Sequence, residues 1–327
     1  MLRLAVPLLL ALAAVALLTW RKAPTGEDLS QRRLLMGTLV EISVPEAPPG
    51  ADAAVNAAFA EMERIERLMS PHMEGSDLQR LGAGVPEAEA SAETLEVLRL
   101  ALEVQAQSGG AFDPALGRLI RLWAVETEEP RKPSPAEIRQ ALGPGGEGAV
   151  LILGERVRKA DPELLLDLGG VAKGYAVDRA VEVLKSRGIA QAAVNAGGDI
   201  RVLGGRGERP WRIALQHPRD PDAVLGTLEI KDKAVVSSGD YERYFEIEGV
   251  RYHHLFDPRT GYPARLCRSV SVLAESAAYA DALATAVFVL GPEKGMALVE
   301  SLPGVEALVV DAGGGLHLSA GLEGKLH

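Results

Sequence analysis

Apolar and polar positions alternate through "RRLLMGTLVEISVP" (32–45), where Met36, Thr38, Val40, Ile42 and Val44 share one side, a period of two that predicts a strand. The period then lengthens. In "ADAAVNAAFAEMERIERLM" (51–69) the apolar side chains recur at helical spacing, and a second amphipathic helix spans roughly 92–107 before Gly109-Gly110. "AFDPALGRLIRLWAV" leads into the charged, proline-bearing "ETEEPRKPSPAEIRQALGPGGEG". That stretch reads as a surface insertion over about 125–148, with one short helix from Ser134.

Beyond Ala149 the runs shorten. "AVLIL", "ERVRKA" and "ELLLDLG" read as strands, and "GVAKGYAVDRAVEVLKSRG" (170–188) reads as a helix closed by Gly188. Strand patterns return in "QAAVNAGGDIRVLG", "WRIALQHP", "GTLEIKDKAVVSSGD", "RYFEIEGVRYHHLFDP" and "RSVSVLAES". Helices over 276–291 and 292–302 and the strands "EALVV" and "GGLHL" follow. Strand-rich stretches broken by long helices, without regular βαβ alternation, predict an α+β fold rather than a doubly wound sheet.

The N-terminus obeys neither period. Arg3 precedes an apolar run from Leu4 to Leu18, followed by Trp20, Arg21 and Lys22, the pattern of an export signal or an uncleaved membrane anchor over residues 1–23. The remaining 24–327 form the folded domain of an exported protein, periplasmic or otherwise extracytoplasmic and held near the membrane. A net charge of -10 argues against a nucleic-acid partner. The single cysteine, Cys267, rules out an internal disulfide and a cysteine zinc site.

Candidate chemistry sits in a few short stretches. "GPGGEG" (143–148) fits G-x-G-x-x-G by letter, but it follows a helix and precedes a strand, the reverse of a dinucleotide fingerprint, so it reads as a flexible turn. "LLLDLGGVAKGYAVD" has the order reversed: strand, Gly-Gly turn, helix from about Val171. Exposed N–H groups and Lys173 there suit a phosphate, while Asp167 either contacts a ligand or simply caps the turn. "SAAYADALATAVFVLG" (276–291) places Asp281 and Thr285 one turn apart on one face of an otherwise apolar helix. Two readings of that pair stand level: oxygen ligands for a hard cation such as Mg²⁺, or a carboxylate paired with an arginine beside a threonine bonded back to its own helix. "YHHLFDPRTGYPA" (252–264) offers His254 as a base or ligand contact, and "NAGGD" and "SSGDYER" are small-residue turns that could admit a ligand.

Taken in order, "MGTLVEI", "MSPHMEGSDLQRL", "AFDPALGRLIRLW", "DLGGVAKGYAVD", "NAGGDIRVLG", "SSGDYERYF", "HLFDPRTGYP" and "YADALATA" resemble the ApbE flavin transferase family, the FAD:protein FMN transferases. The resemblance runs from about Met36 to Thr285. It implies a two-lobed α+β fold with mixed or antiparallel sheets, flanking helices and FAD between the lobes. It implies a Mg²⁺-dependent enzyme that splits FAD, joins FMN through a phosphoester to a threonine of an acceptor flavoprotein, and releases AMP. That acceptor would be a membrane electron-transport subunit. By position, Asp281, Thr285 and the Gly170 carbonyl would hold the metal. Met36, Ala111, Phe112, Asp113, Asp167, Lys173 and Leu255 would contact FAD, and His254 would be the base. The chain departs from the family at His72, where a tyrosine usually lies against the flavin, and it lacks the lipid-bearing cysteine of many relatives. The alternatives are an FAD pyrophosphatase giving FMN and AMP, or a flavin carrier without catalysis.

Overall fold

The computed structural model describes residues 26–327, so the N-terminal segment read as a signal or anchor lies outside the described residues. The run expected as one strand is two, β1 (Leu29–Leu35) and β2 (Thr38–Val44), paired in register from Leu35↔Thr38 outward. Met36 and Gly37 both have positive φ, 53° and 70°, which reverses the chain in a two-residue hairpin turn. The alternation continues on both sides of this turn, so periodicity alone does not reveal it.

Helix α1 (Ala51–Met69) buries Val55, Phe59, Met62 and Ile65 along one stripe. A short helix α2 (Asp77–Arg80), strand β3 (Glu87–Glu89) and helix α3 (Ala92–Gln107) follow. Next come α4 (Gly117–Trp123) and α5 (Pro135–Leu142), the latter opened by a full capping box at Ser134 and Glu137. Strands β4 (Val150–Leu153) and β5 (Arg156–Lys159) join β3 in a small three-stranded sheet. Residues 163–169, expected as a strand, run without a strand partner. Their backbone bonds singly instead: Gly117 N–H to Leu165 O at 3.0 Å, and Asp167 N–H to Pro114 O at 2.8 Å.

Helix α6 (Ala172–Ser186) leads to β6 (Ala192–Ala196), β7 (Asp199–Leu203), β8 (Trp211–His217), β9 (Asp220–Ile230), β10 (Ala234–Gly239), β11 (Tyr244–Ile247), β12 (Val250–His253) and β13 (Cys267–Ala274). The chain closes with α7 (Ala277–Ser301), β14 (Glu306–Asp311) and β15 (Leu316–Leu318). The separate helices expected at 276–291 and 292–302 form α7 as two segments meeting at a kink, where Gly291 has φ 82° and Pro292 removes an N–H donor.

Eight strands form one sheet in the order β1-β2-β6-β7-β10-β13-β14-β15, and every neighbouring pair is antiparallel. Both faces of its centre are covered. Val236, Val272 and Val309 pack into the main core under α1, α3, α6 and α7, while Val235, Leu273 and Leu308 face the β8–β9 hairpin. That is why β10, β13 and β14 read as continuous apolar runs. Helix α7 is long and apolar enough to cross a membrane, but here it is a core helix with most of its first half buried.

A third cluster joins Leu119, Trp123, Ile138, Tyr252 and Phe256. Through it the segment read as a surface insertion is docked: Trp123 Nε1–H donates to Gly261 O at 2.9 Å, and α5 buries Ile138 against the turn at Gly261. An added Cβ at Gly261 would meet Ile138 at 2.4 Å, so the close approach needs a glycine as well as its φ of 73°.

Candidate active site

One cavity of about 600 Å³ opens between the helical layer and the α4–α5 and β11–β12 region, within the size range of small-molecule sites. Every candidate residue lines it: Met36 and His72; Ala111, Phe112 and Asp113; Asp167, Gly170 and Lys173 around the start of α6; His254 and Leu255; and Asp281 and Thr285 of α7. Residues spread over most of the chain therefore meet in one place.

The floor is made by α6 crossing α7. An added Cβ at Gly174 would lie 2.3 Å from Ala277 O and 2.8 Å from Ala278 Cα, so the helices touch backbone to backbone there. Each helix caps the other. Asp178 of α6 accepts the N–H groups of Ala277 (2.8 Å) and Ala278 (3.0 Å) and the Ser276 hydroxyl at 2.8 Å. In return Asp281 of α7 accepts the Gly174 N–H at 3.2 Å, one of the free donors of α6's first turn. Asp281 is thus compensated by a helix start and a lysine, not by the arginine considered from its spacing.

That lysine is Lys173, which is ion-paired with Asp199. Asp199 follows the Gly197-Gly198 turn, where both φ values are positive and an added Cβ at Gly197 would strike Thr38 Oγ1 at 2.2 Å. The sequence reading takes "NAGGD" as a turn that could admit a ligand and does not single out Asp199. The signal that could have found it is a carboxylate opening a strand directly after an obligatory glycine turn.

Burial raises the Asp281 carboxyl well above its usual range, and the neighbouring Asp199 carboxylate raises it further. Burial likewise raises Asp199, against the pull of Lys173. Burial alone would lower Lys173, but Asp199 and Asp281 override it and hold the ammonium above the ordinary lysine value. Two buried carboxylates face one ammonium, and Asp199 Oδ2 has no hydrogen-bond partner. The site is short of positive charge. Thr285 Oγ1 lies 3.4 Å from the Cβ position of Gly170, bringing that hydroxyl against the Gly-Gly turn. Among the described residues no group of three or more His, Cys, Asp or Glu side chains forms a metal cluster. A cation here would draw on one carboxylate, a hydroxyl, a carbonyl and the oxygens of its ligand, a donor set that suits a hard ion.

The two adjacent histidines diverge. His253 is buried; Nε2–H donates to Ala264 O at 2.8 Å and Nδ1 accepts the Leu255 N–H at 3.2 Å, which fixes it as a neutral structural ring with a pKa lowered by burial to about 4. His254 faces the cavity. Its Nδ1 lies 3.3 Å from Arg243 O; a carbonyl only accepts, so Nδ1 carries the hydrogen and Nε2 keeps its lone pair. Burial, then Arg243 and His253, lower its pKa to about 3, leaving the ring neutral.

Other candidates are more committed to structure than the sequence suggested. Asp113 Oδ1 accepts the Ala115 N–H at 2.8 Å and Oδ2 the Gly146 N–H at 3.0 Å, so the dismissed "GPGGEG" loop is tied to the cavity wall. The carboxyls of Asp113 and Asp167 are both raised, chiefly by burial. Asp167 Oδ1 accepts the Gly169 N–H at 2.9 Å and caps the turn, though the residue also lines the cavity. Met36 offers its side chain from a left-handed position, with its N–H donated to Glu66 at 3.0 Å. His72 stands exposed at the rim. Glu242, also missed, lines the cavity with a carboxyl pushed up to about 7 by burial, against the pull of Lys173.

A cavity of this size on an α+β fold, with a helix start and a buried carboxyl–lysine cluster at its floor, has the form of a small-molecule site, and a helix start suits an anionic group. Comparison with known proteins narrows this further. Residues 36–309 match the ApbE family. The FAD:protein FMN transferase of Treponema pallidum is 34% identical over 317 residues, 90% of this chain and 88% of that protein. That of Vibrio cholerae is 36% identical over 303 residues, 90% of each. Among solved structures, the ApbE protein of Thermotoga maritima aligns with a TM-score of 0.85 at 37% identity, covering 92% of this chain and 99% of that one. The flavin transferase ApbE of Vibrio cholerae aligns at 0.81 and 31%, covering 92% and 99%. The chain belongs to the ApbE family.

Proposed function

We propose that this chain is an FAD:protein FMN transferase that cleaves the FAD pyrophosphate and esterifies a threonine hydroxyl of an acceptor flavoprotein with the FMN phosphate, releasing AMP. The observation that carries the reading is the meeting, in one cavity, of a histidine with a free Nε2 lone pair and a buried carboxylate–lysine cluster at a helix start. Its support from outside the chain is its likeness to flavin transferases over nine-tenths of its length.

In this reading the isoalloxazine lies toward Met36 and His72, and the pyrophosphate meets the positive end of α6. The threonine oxygen attacks the FMN-side phosphorus as the bond from that phosphorus to the bridging oxygen breaks, and the bridging oxygen departs with AMP. His254 Nε2 takes the threonine proton and returns it to the leaving AMP or to solvent. Lys173 supplies fixed positive charge beside the phosphates. Asp281, Thr285 and the Gly170 carbonyl would hold Mg²⁺, which when bound neutralises pyrophosphate charge. The apolar run Leu4–Leu18 would deliver the domain to an extracytoplasmic membrane face, where a membrane flavoprotein subunit is the acceptor.

The test uses residues 24–327, stripped of metal and incubated with FAD, Mg²⁺ and a flavoprotein acceptor domain, then run on a denaturing gel. A fluorescent acceptor band that requires both Mg²⁺ and Asp281 supports transfer. AMP release with no labelled acceptor makes the enzyme a pyrophosphatase, and FAD binding without either product makes it a carrier.

A further inference from the structure

Lys159 ends β5 and is 3% exposed, yet its ammonium faces main-chain carbonyls rather than a carboxylate partner. Nζ lies 2.8 Å from Leu81 O, 2.8 Å from Gly82 O, 2.9 Å from Pro162 O and 2.7 Å from Leu164 O. An ammonium has three hydrogens and carbonyls only accept, so four oxygens share three donors. That is the arrangement of carbonyls around a dehydrated monovalent cation, in which the ion's field replaces directional bonds.

The carbonyls belong to two runs that lack strand pairing where the cavity needs them. Leu81 and Gly82 close the segment that leaves α1, passes His72 at the cavity rim and forms α2. Pro162 and Leu164 begin the unpaired stretch that ends at Asp167 and Gly170. The only main-chain bond joining the two runs among those described is Gly84 N–H to Pro162 O at 3.0 Å. Beside the Lys159 N–H to Pro86 O bond at 2.8 Å, the Lys159 ammonium therefore ties together the two segments that continue to His72 on one side and to Asp167 and Gly170 on the other, without itself lining the cavity.

We propose that Leu81, Gly82, Pro162 and Leu164 form a monovalent-cation cage whose built-in ion is the Lys159 ammonium, and that this cage positions Asp167, Gly170 and His72 for the ligand. Lys159 is a positioning residue. With its amine removed, the cage takes potassium or ammonium ion, which resemble the lost group in size and charge, in preference to the smaller sodium or lithium.

The test compares wild type, Lys159→Ala, Lys159→Gln and, as a control, the exposed Lys231→Ala. Each is melted, and assayed for kcat and for the KM of FAD, in lithium, sodium, potassium and ammonium chloride at equal ionic strength. In sodium, K159A should melt below wild type and show a KM for FAD raised about tenfold or more, because cavity walls displaced by a fraction of an ångström misplace the groups they carry. Potassium or ammonium should raise its melting point and restore the KM, while wild type and K231A respond to all four salts alike. K159Q keeps amide donors but fills the cage without charge, so it should show the raised KM and no salt preference. Folding of K159A only in potassium or ammonium also supports the cage. A wild-type KM for FAD in K159A in sodium, or in K159Q in any of the four salts, overturns the positioning role, and absence of potassium- or ammonium-selective rescue of K159A in folding, melting or KM overturns the cage. The KM readout rests on the transferase reading, whereas the melting readout does not. A wild type that transfers no FMN would sink that reading and still leave the cage to be judged by salt-selective melting.

Discussion

Gly174→Ala sets two ordinary effects against each other. Alanine in a helix interior is worth up to about 1 kcal/mol over glycine, so propensity alone says that the variant is more stable. The crossing says otherwise. The new methyl would sit 2.3 Å from Ala277 O and 2.8 Å from Ala278 Cα, both backbone atoms that cannot swing aside. Ordinary C–H···O contact begins near about 3.3 Å, so α6 and α7 must separate by roughly 1 Å. Overpacking of this kind costs about 1–3 kcal/mol, and the 3.2 Å bond from Gly174 N–H to Asp281 is stretched as well. A net loss of about 1–2 kcal/mol follows. The functional loss should be larger, because α6 carries Lys173 and α7 carries Asp281 and Thr285; a displacement of about 1 Å between them is worth about a hundredfold in rate. Urea unfolding measures the first effect, and the rate of in-gel fluorescent labelling of the acceptor measures the second. A variant at least as stable as wild type with an unchanged labelling rate would refute the argument that backbone contact at Gly174 fixes the site.

In metal-free buffer Asp281→Asn should melt at or above wild type, by about 1 kcal/mol or more, since it removes a buried charge from beside Asp199 yet can still accept the Gly174 N–H; FMN transfer should be lost, and a clear drop in stability would contradict the charge accounting. His254→Asn should cut transfer by about 10²–10⁴ while leaving FAD affinity near wild type, and a large loss of binding in equilibrium titration would make the histidine a ligand contact instead. His253 is depressed to about 4 from an ordinary 6.5, so between those values the unfolded chain binds the extra proton and stability falls as the pH drops, by on the order of 3 kcal/mol. The raised carboxyls of Asp113, Asp167, Asp199, Asp281 and Glu242 work in the opposite sense, so the effect is read as the difference between wild type and His253→Gln in unfolding midpoints at pH 7 and pH 4.5. Met36→Gly should relieve about 1 kcal/mol of left-handed strain yet raise the KM for FAD, and equal KM values would remove Met36 from the binding surface.

The linear order of residues determined what local physics controls. A helix over 51–69 follows from the recurrence of Val55, Phe59, Met62 and Ile65, and the α5 start from the Ser134–Glu137 box, because both signals act within one or two turns. The mismatch of Asp281 within an apolar helix was likewise legible, since a buried carboxylate demands compensation wherever it sits. What compensates it was not. The Gly174 N–H lies 107 positions away, and the Trp123–Gly261 bond, just before the 125–148 segment whose Ile138 packs on the same turn, spans 138. The turn at Met36-Gly37 escaped because a hairpin preserves alternation on both arms. The 163–169 run escaped because it carries a strand's composition with no strand beside it. Asp199 looked like the end of a glycine turn until the sheet set it against Lys173. Periodicity and hydrogen-bond valence are properties of neighbours in the chain, whereas the charge balance of the cavity, the occupancy of Asp113 and the cage around Lys159 arise between segments that only tertiary packing brings together.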